Sequence, residues 1–160
     1  MVSMSTILQA KQLDAWVGFL RSHAAITRQL NVDLLAAHGL TLNDYEVLVL
    51  LSRAEGQMMR RVDLAESVVL TASGITRLLD GLERAGYVEK ASCDSDARVS
   101  YAKLTDAGRA KLAEASATHH AGVEELFVGR FSEEELALLA ELFARLPLTG
   151  RACNGDDACG

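Results

Sequence analysis

Between Val69 and Thr105 the chain reads VLTASGITRLLDGLERAGYVEKASCDSDARVSYAKLT, and the side chains there that could do chemistry are of the kind that touches a polyanion. Ser73, Thr76 and Arg77 follow Thr71 at spacings that set them, with Gly74, on one side of a helix, and Asp80, Gly81 and Arg84 continue that side. Hydroxyls of Ser and Thr bond phosphate oxygens or base edges, and a guanidinium can fork onto the two acceptors of guanine in a major groove. Small residues at the start of such a helix let it approach closely. The chemistry on offer is recognition, not bond making.

The remaining reactive side chains give no competing constellation. Phosphate-loop, nucleophile-elbow and metal-ligand spacings are all missing, so an enzyme is not expected, nor a cofactor or a metal. His119 and His120 are adjacent, and adjacent helical positions point about 100° apart, a poor pair of ligands. The three cysteines are spread out, Cys93 in the charged turn and Cys153 with Cys159 near the end, and do not make a disulfide framework.

The elements that must position the polar residues can be read from periodicity. Ile75, Leu78, Leu79 and Leu82 form the opposite, apolar face of a helix that begins at Thr71, whose hydroxyl can cap it. Gly86 is its expected left-handed stop. Tyr87–Lys90 and Val99–Leu104 read as two strands around the turn CDSDAR, a ribbon with Arg98 near its tip. Upstream, Ile7–His38 is one long helix closed by Gly39, with Leu13, Trp16, Val17, Leu20, Ala24, Ile26, Leu30, Leu34 and Leu35 on a stripe too broad for one neighbour. Part of that stripe is expected to meet another subunit. TLND starts a second helix, with Asn43 as N-cap and Glu46 at the third position, running to Arg53. GQMMRR is a short extended piece and VDLAESV a helix of one or two turns. Helix, short turn, helix and ribbon is a winged helix-turn-helix. Thr105 then caps a long helix to about Gly129, and Ser132 starts a last one, ended by Pro147.

A fold that is mainly α with a small β-wing follows. It divides into an N-terminal helix (residues 1–38), a winged helix-turn-helix (40–104), C-terminal helices (105–146) and a Gly- and Asp-rich tail expected to be disordered (147–160). Apolar residues make up 49% of the chain, enough for a core, and aromatics only 5%, so the core should be aliphatic. No apolar run approaches the roughly 18 residues of a membrane span, and a cytoplasmic protein is expected. The net charge of −6 argues against a nucleic-acid partner until it is mapped along the chain. Residues 112–160 hold three bases and nine acids, whereas residues 55–111 hold nine of each. The middle bases (Arg60, Arg61, Arg77, Arg84, Lys90, Arg98 and Lys103) fall where a DNA-facing surface would be, and screening over roughly 10 Å makes local charge the relevant quantity.

The run from about Leu40 to Leu112 resembles the MarR (multiple antibiotic resistance regulator) family of winged-helix regulators. The features that carry the resemblance are YEVLVLL, VDLAE, LTASGITRLLDGLERAGYVEK, and Asp96-x-Arg98 followed by Leu104, Thr105 and Gly108. The family commonly has a second arginine where this chain has Ala97, which weakens the phosphate contribution expected of the wing. The resemblance implies a homodimer built from the first and last helices, presenting two winged helix-turn-helices to a palindromic site on double-stranded DNA. It implies DNA contacts by Thr71, Ser73, Thr76 and Arg77 and by Arg98 of the wing, with Asp96 holding Arg98. Arg60, Arg61, Arg84 and Lys103 are further candidates for phosphate.

Family members often release DNA on binding small aromatic or phenolic acids in a crevice between the dimer helices and the DNA-binding lobe. Trp16, Arg21, His23 and Tyr45 are the residues here that could line one. A looser grouping of Trp16, Asp63 and Arg98 is similar to the arrangement in urate-responsive relatives. Two alternatives stay open: a repressor switched by oxidation of its cysteines, and a winged-helix module that binds protein instead of DNA.

Overall fold

A computed structural model describes residues 9–68, 70–93 and 96–147, with the backbone alone described at residues 93 and 96–98. Helices α1 (Ala10–His38), α2 (Leu42–Arg53), α3 (Arg61–Ser67), α4 (Ala72–Arg84), α5 (Asp106–Leu126) and α6 (Glu133–Phe143) are joined by strand β1 (Met58–Arg60) between α2 and α3 and by the hairpin of β2 (Val88–Cys93) and β3 (Asp96–Leu104) between α4 and α5. The strands form an antiparallel sheet in the order β1-β3-β2, with Arg60 opposite Tyr101 and Val88 opposite Leu104. The expected ribbon therefore gains a third strand from the short extended piece before α3.

The core lies under this sheet. Val47, Leu48 and Leu51 of α2, Leu64 of α3, Ile75, Leu79 and Leu82 of α4, and Ala102 and Leu104 of β3 are all buried, joined by Leu34 from the end of α1. One aliphatic cluster thus holds the helix-turn-helix, the base of the wing and one end of the long helix together. Its residues recur at helical spacing in α4 and at alternate positions in β3, so the polar faces are turned outward.

Local signals explain the element ends. Thr71 accepts from the Gly74 amide at 3.1 Å and starts α4. At the other end the Tyr87 amide donates to Leu82 O and the Gly86 amide to Glu83 O, with Gly86 at φ 78, a Schellman stop. The start of α2 differs from the expectation of Asn43 and Glu46. Thr41 is the N-cap: its hydroxyl accepts from the Asp44 amide at 3.1 Å, and the Asp44 carboxylate accepts from the Thr41 amide at 2.8 Å. The reciprocal pair satisfies two otherwise orphaned donors, and the Asn31 side chain takes a third, from the Leu42 amide. Helix α5 ends at Leu126, three residues before Gly129, in a 3₁₀ turn at Val128–Arg130, and α6 ends at Phe143 in a tight turn ahead of Pro147. The first residues of the expected N-terminal helix, the tail from residue 148, and Cys153 and Cys159 lie outside the described residues.

The two ends of the chain build a different kind of surface. From Ala10 to Ala25 every residue of α1 except Val17 is exposed, including Leu13, Trp16, Phe19 and Leu20. Helix α6 has no fully buried residue: Leu136 and Leu139 are half-buried, and Leu138, Leu142 and Phe143 stand exposed on it. Phe19 and Phe143 meet at 6.1 Å between ring centres, so the two exposed faces adjoin. No single described helix is long and apolar enough to cross a membrane.

Candidate nucleic-acid interface

Helix α4 presents Ser73, Thr76, Arg77 and Arg84 to solvent. Arg77 and Arg84 form no ion pair among the described residues, so their donors are free for an anion. The hydroxyls are partly committed. Thr71 caps the helix and lies 3.2 Å from Ser73 Oγ, and Thr76 donates to Ala72 O at 2.9 Å, which leaves its oxygen able to accept. Thr71 therefore has a structural task whatever else it touches.

The flanking bases expected near phosphate each have a carboxylate beside them in the single chain, Arg84 excepted. Arg60 grips Asp63 through two bonds, 2.7 and 3.1 Å, which accounts for Asp63 too. Lys103 sits 3.7 Å from Glu89 across the sheet. Arg61 is turned inward, with Glu83 at 3.2 Å and Asp80 at 3.8 Å. Asp96 and Arg98 lie on the backbone of β3, but their side chains, like that of Cys93, are outside the described residues.

Behind the helix-turn-helix, a cavity of about 520 Å³ opens between α2, the end of α3 and α5. Tyr45, Glu46, Arg53, Ser116, His119 and His120 supply its polar lining and Val49, Leu50 and Leu112 its apolar wall. The His119 ring stacks on Tyr45 with centres 4.5 Å apart, and Tyr45 Oη lies 3.3 Å from Ser116 Oγ. Burial pushes the His119 imidazole below its usual range, and His120 adds to this; its buried Nδ1 has no hydrogen-bond partner among the described residues. Burial raises the Glu46 carboxyl, an effect that His23 opposes. Of the five residues expected at a ligand site, Tyr45 alone lines this cavity. Trp16, Arg21 and His23 are exposed on α1, and no described contact joins Trp16 to Asp63. His119, Glu46 and Arg53 join Tyr45 there, a grouping with no signal in the sequence, because nothing local connects α2 with a helix some seventy residues later.

A polar recognition helix with two unpaired arginines, set on a helix-turn-helix and backed by a three-stranded wing, defines a winged-helix DNA-binding protein. Residues 38–99 match the sequence model of the MarR family. The chain is 31% identical over 114 residues to the transcriptional repressor YetL of Bacillus subtilis, covering 69% of this chain and 68% of that one. It is 26% identical over 141 residues to the transcriptional regulator MhqR of the same organism, covering 88% and 94%. Among solved structures, AbsC, a MarR family regulator from Streptomyces coelicolor, aligns with a TM-score of 0.80 and 33% identity over 87% of this chain and 93% of its own. Sco3205 from the same organism, crystallised with DNA, aligns with a TM-score of 0.82 and 25% identity over 89% of each. The chain belongs to the MarR family and is a DNA-binding transcriptional regulator, not an enzyme.

Proposed function

We propose that the protein is a cytoplasmic homodimeric repressor that occupies a palindromic operator and leaves it when a small aromatic ligand binds. The observation that carries the dimer is α6: its own chain fully buries no residue of this eleven-residue helix, and the exposed apolar face of α1 adjoins it. An isolated helix of that length is marginal in water, so a partner surface must cover it. A two-fold pair would place two α4 helices about one turn of duplex apart. Repression is supported by the name of the relative YetL, a transcriptional repressor.

The reading continues the expectations for DNA contact: Ser73, Thr76, Arg77, Arg84 and Arg98 meet the duplex, with Asp96 holding Arg98. The ligand site moves from the exposed residues of α1 to the cavity around Tyr45, between the helix-turn-helix and α5. A ligand there would wedge α2 away from α5 and so change the separation of the two recognition helices.

Fluorescence anisotropy tests this with a duplex from the protein's own upstream region and an unrelated duplex of equal length, at two salt concentrations. Preference for the first that survives added salt, and its loss in Arg77→Ala without loss of the dimer, supports the repressor. Equal binding to both that vanishes with modest salt leaves only phosphate contact. Unimpaired behaviour of Arg77→Ala would favour a protein-binding module.

A further inference from the structure

Arg61 stands at the junction of β1 and α3, and its surroundings are unlike those of the other bases on this face. Its Nη2 lies 3.2 Å from Glu83 Oε1 and 3.8 Å from Asp80 Oδ1, both on α4. The other carboxylate oxygen of Glu83 lies 3.6 Å from Lys90 Nζ on β2. Arg61 and Glu83 keep only 20% and 19% of their side-chain surface, and Arg61 Nε is buried with no acceptor. The four charges sum to zero, so the cluster offers a phosphate no attraction. Arg77 and Arg84, exposed and unpaired, do.

We propose that Arg61 and Glu83 are positioning residues for DNA reading. Together with Lys90 they tie the start of α3, the C-terminal half of the recognition helix and the first wing strand into one unit, which fixes the angle between helix and wing. Asp80 and Glu83 are three residues apart and so lie on neighbouring positions of one helix face, the one turned to α3. The turn at Ala85–Tyr87, the buried Val88 and the pairing with β3 hold the base of β2; the contact of Lys90 with Glu83 adds a tie to α4 two residues further along the strand. The Arg61–Glu83 pair, with both side chains largely buried, is screened by less water than an exposed pair and is the stiff part of the brace, and the link from Glu83 to the exposed Lys90 is its weaker part. Base readout needs groups held to within a fraction of an ångström, whereas phosphate attraction tolerates movement. Loss of the brace should therefore cost discrimination before it costs general affinity.

The opposing charges make the test sharp. Glu83→Gln removes a negative charge beside the duplex. If Glu83 were only a repulsive charge, the variant would bind DNA more tightly. Acting as a brace, it makes binding to the cognate duplex weaker, by about tenfold on the scale of coupled neighbours. The cognate duplex is the one the wild-type protein selects from a random-sequence pool, and anisotropy is measured across a salt series with circular dichroism confirming the fold. Arg61→Met should weaken the same binding with an unchanged slope of log K against log salt, and the double variant should be no worse than either single one. Binding to an unrelated duplex should hold or improve in Glu83→Gln. Amide exchange in the free protein provides an arm that needs no duplex: β2 should exchange faster in both variants. The proposal is overturned if Glu83→Gln binds the cognate duplex as well as or better than wild type, if Arg61→Met lowers the salt slope by about 0.9 per protomer, as loss of a phosphate contact would, or if β2 exchange is unchanged.

Discussion

A carbon placed on the Cα of Gly108 would lie 2.1 Å from the carbonyl oxygen of Tyr87 and 2.7 Å from Leu104 Cδ1. Only a hydrogen fits, and that close approach locks α5 onto the turn that ends the recognition helix. Thr105 completes the joint: its amide donates to the same Tyr87 oxygen at 3.1 Å, its hydroxyl donates to Gly86 O at 2.7 Å, and that hydroxyl accepts from the Gly108 amide at 3.0 Å. The Leu-Thr-x-x-Gly sequence after the wing is thus a fastening between the DNA-reading turn and the helix that leads away from it.

Gly108→Ala should consequently be among the most damaging small substitutions in the chain. The obstacle is backbone, which cannot rotate aside, so the cost should reach the upper end of overpacking, about 3 kcal/mol. For a domain of this size that lowers the melting temperature by roughly 6–12 °C. Thermal unfolding followed by circular dichroism measures it, and a melting temperature within 2 °C or so of wild type would show that the turn yields easily.

What the sequence made legible was local. The recognition helix could be placed because its cap, apolar face and glycine stop all lie within sixteen residues, from Thr71 to Gly86. The start of α2 could not, because Thr41 and Asn43 both satisfy the preference for a capping side chain; the reciprocal bonds between Thr41 and Asp44 decide between them. Long-range pairs were out of reach altogether. Arg61 reads as one more base on a DNA-facing surface until α4 packs against α3 and brings Glu83, 22 positions on, to 3.2 Å. Likewise Tyr45 and Ser116 are 71 positions apart, and the cavity they share has no trace in the pattern of either helix.

The dimer reading makes a prediction about α6. Leu138 is 54% exposed in the single chain, a position where an aspartate would cost only about 0.5 kcal/mol of helix propensity if water were its true neighbour. Against a partner's apolar surface the buried charge would be severe. Leu138→Asp should dissociate the dimer at micromolar concentration in sedimentation equilibrium, with amides in the α2–α4 core still protected. An unchanged mass would place the subunit contact elsewhere.

The cavity predicts a pH dependence with a definite sign. His119 takes up its proton less readily in the folded chain than in the unfolded one, because burial and then His120 oppose the charge. Its contribution to stability is therefore complete above the unfolded value of about 6.5 and is lost as pH falls through the lower folded value. Glu46, held high by burial, has the opposite sense: its contribution is present below the unfolded carboxylate value and is lost as pH rises through the raised one. His119→Phe keeps a ring on Tyr45 and has no proton to gain, so it isolates the first effect. The melting temperature of the variant relative to wild type should climb as pH falls from 7.5 to 5. A difference that stays constant across that range would mean His119 titrates no differently in the folded and unfolded chains.

Gly81 supplies the last test, because it separates stability from reading. It lies within α4, one turn after Arg77, and a carbon added to it would meet nothing within 4 Å. Its backbone is helical, so packing in the single chain gives no reason for a glycine, and alanine there should stabilise the fold by about 0.5–1 kcal/mol through helix propensity. The same position shares the side of α4 that carries Arg77, where a bare backbone would let the helix sit closer to a duplex. Gly81→Ala is expected to raise the melting temperature by roughly 1–4 °C and at the same time to weaken binding to the selected duplex more than binding to an unrelated one. A variant that is both more stable and equally discriminating would show that α4 does not approach DNA at this point, and would move the contact toward the N-terminal turn around Ser73 and Thr76.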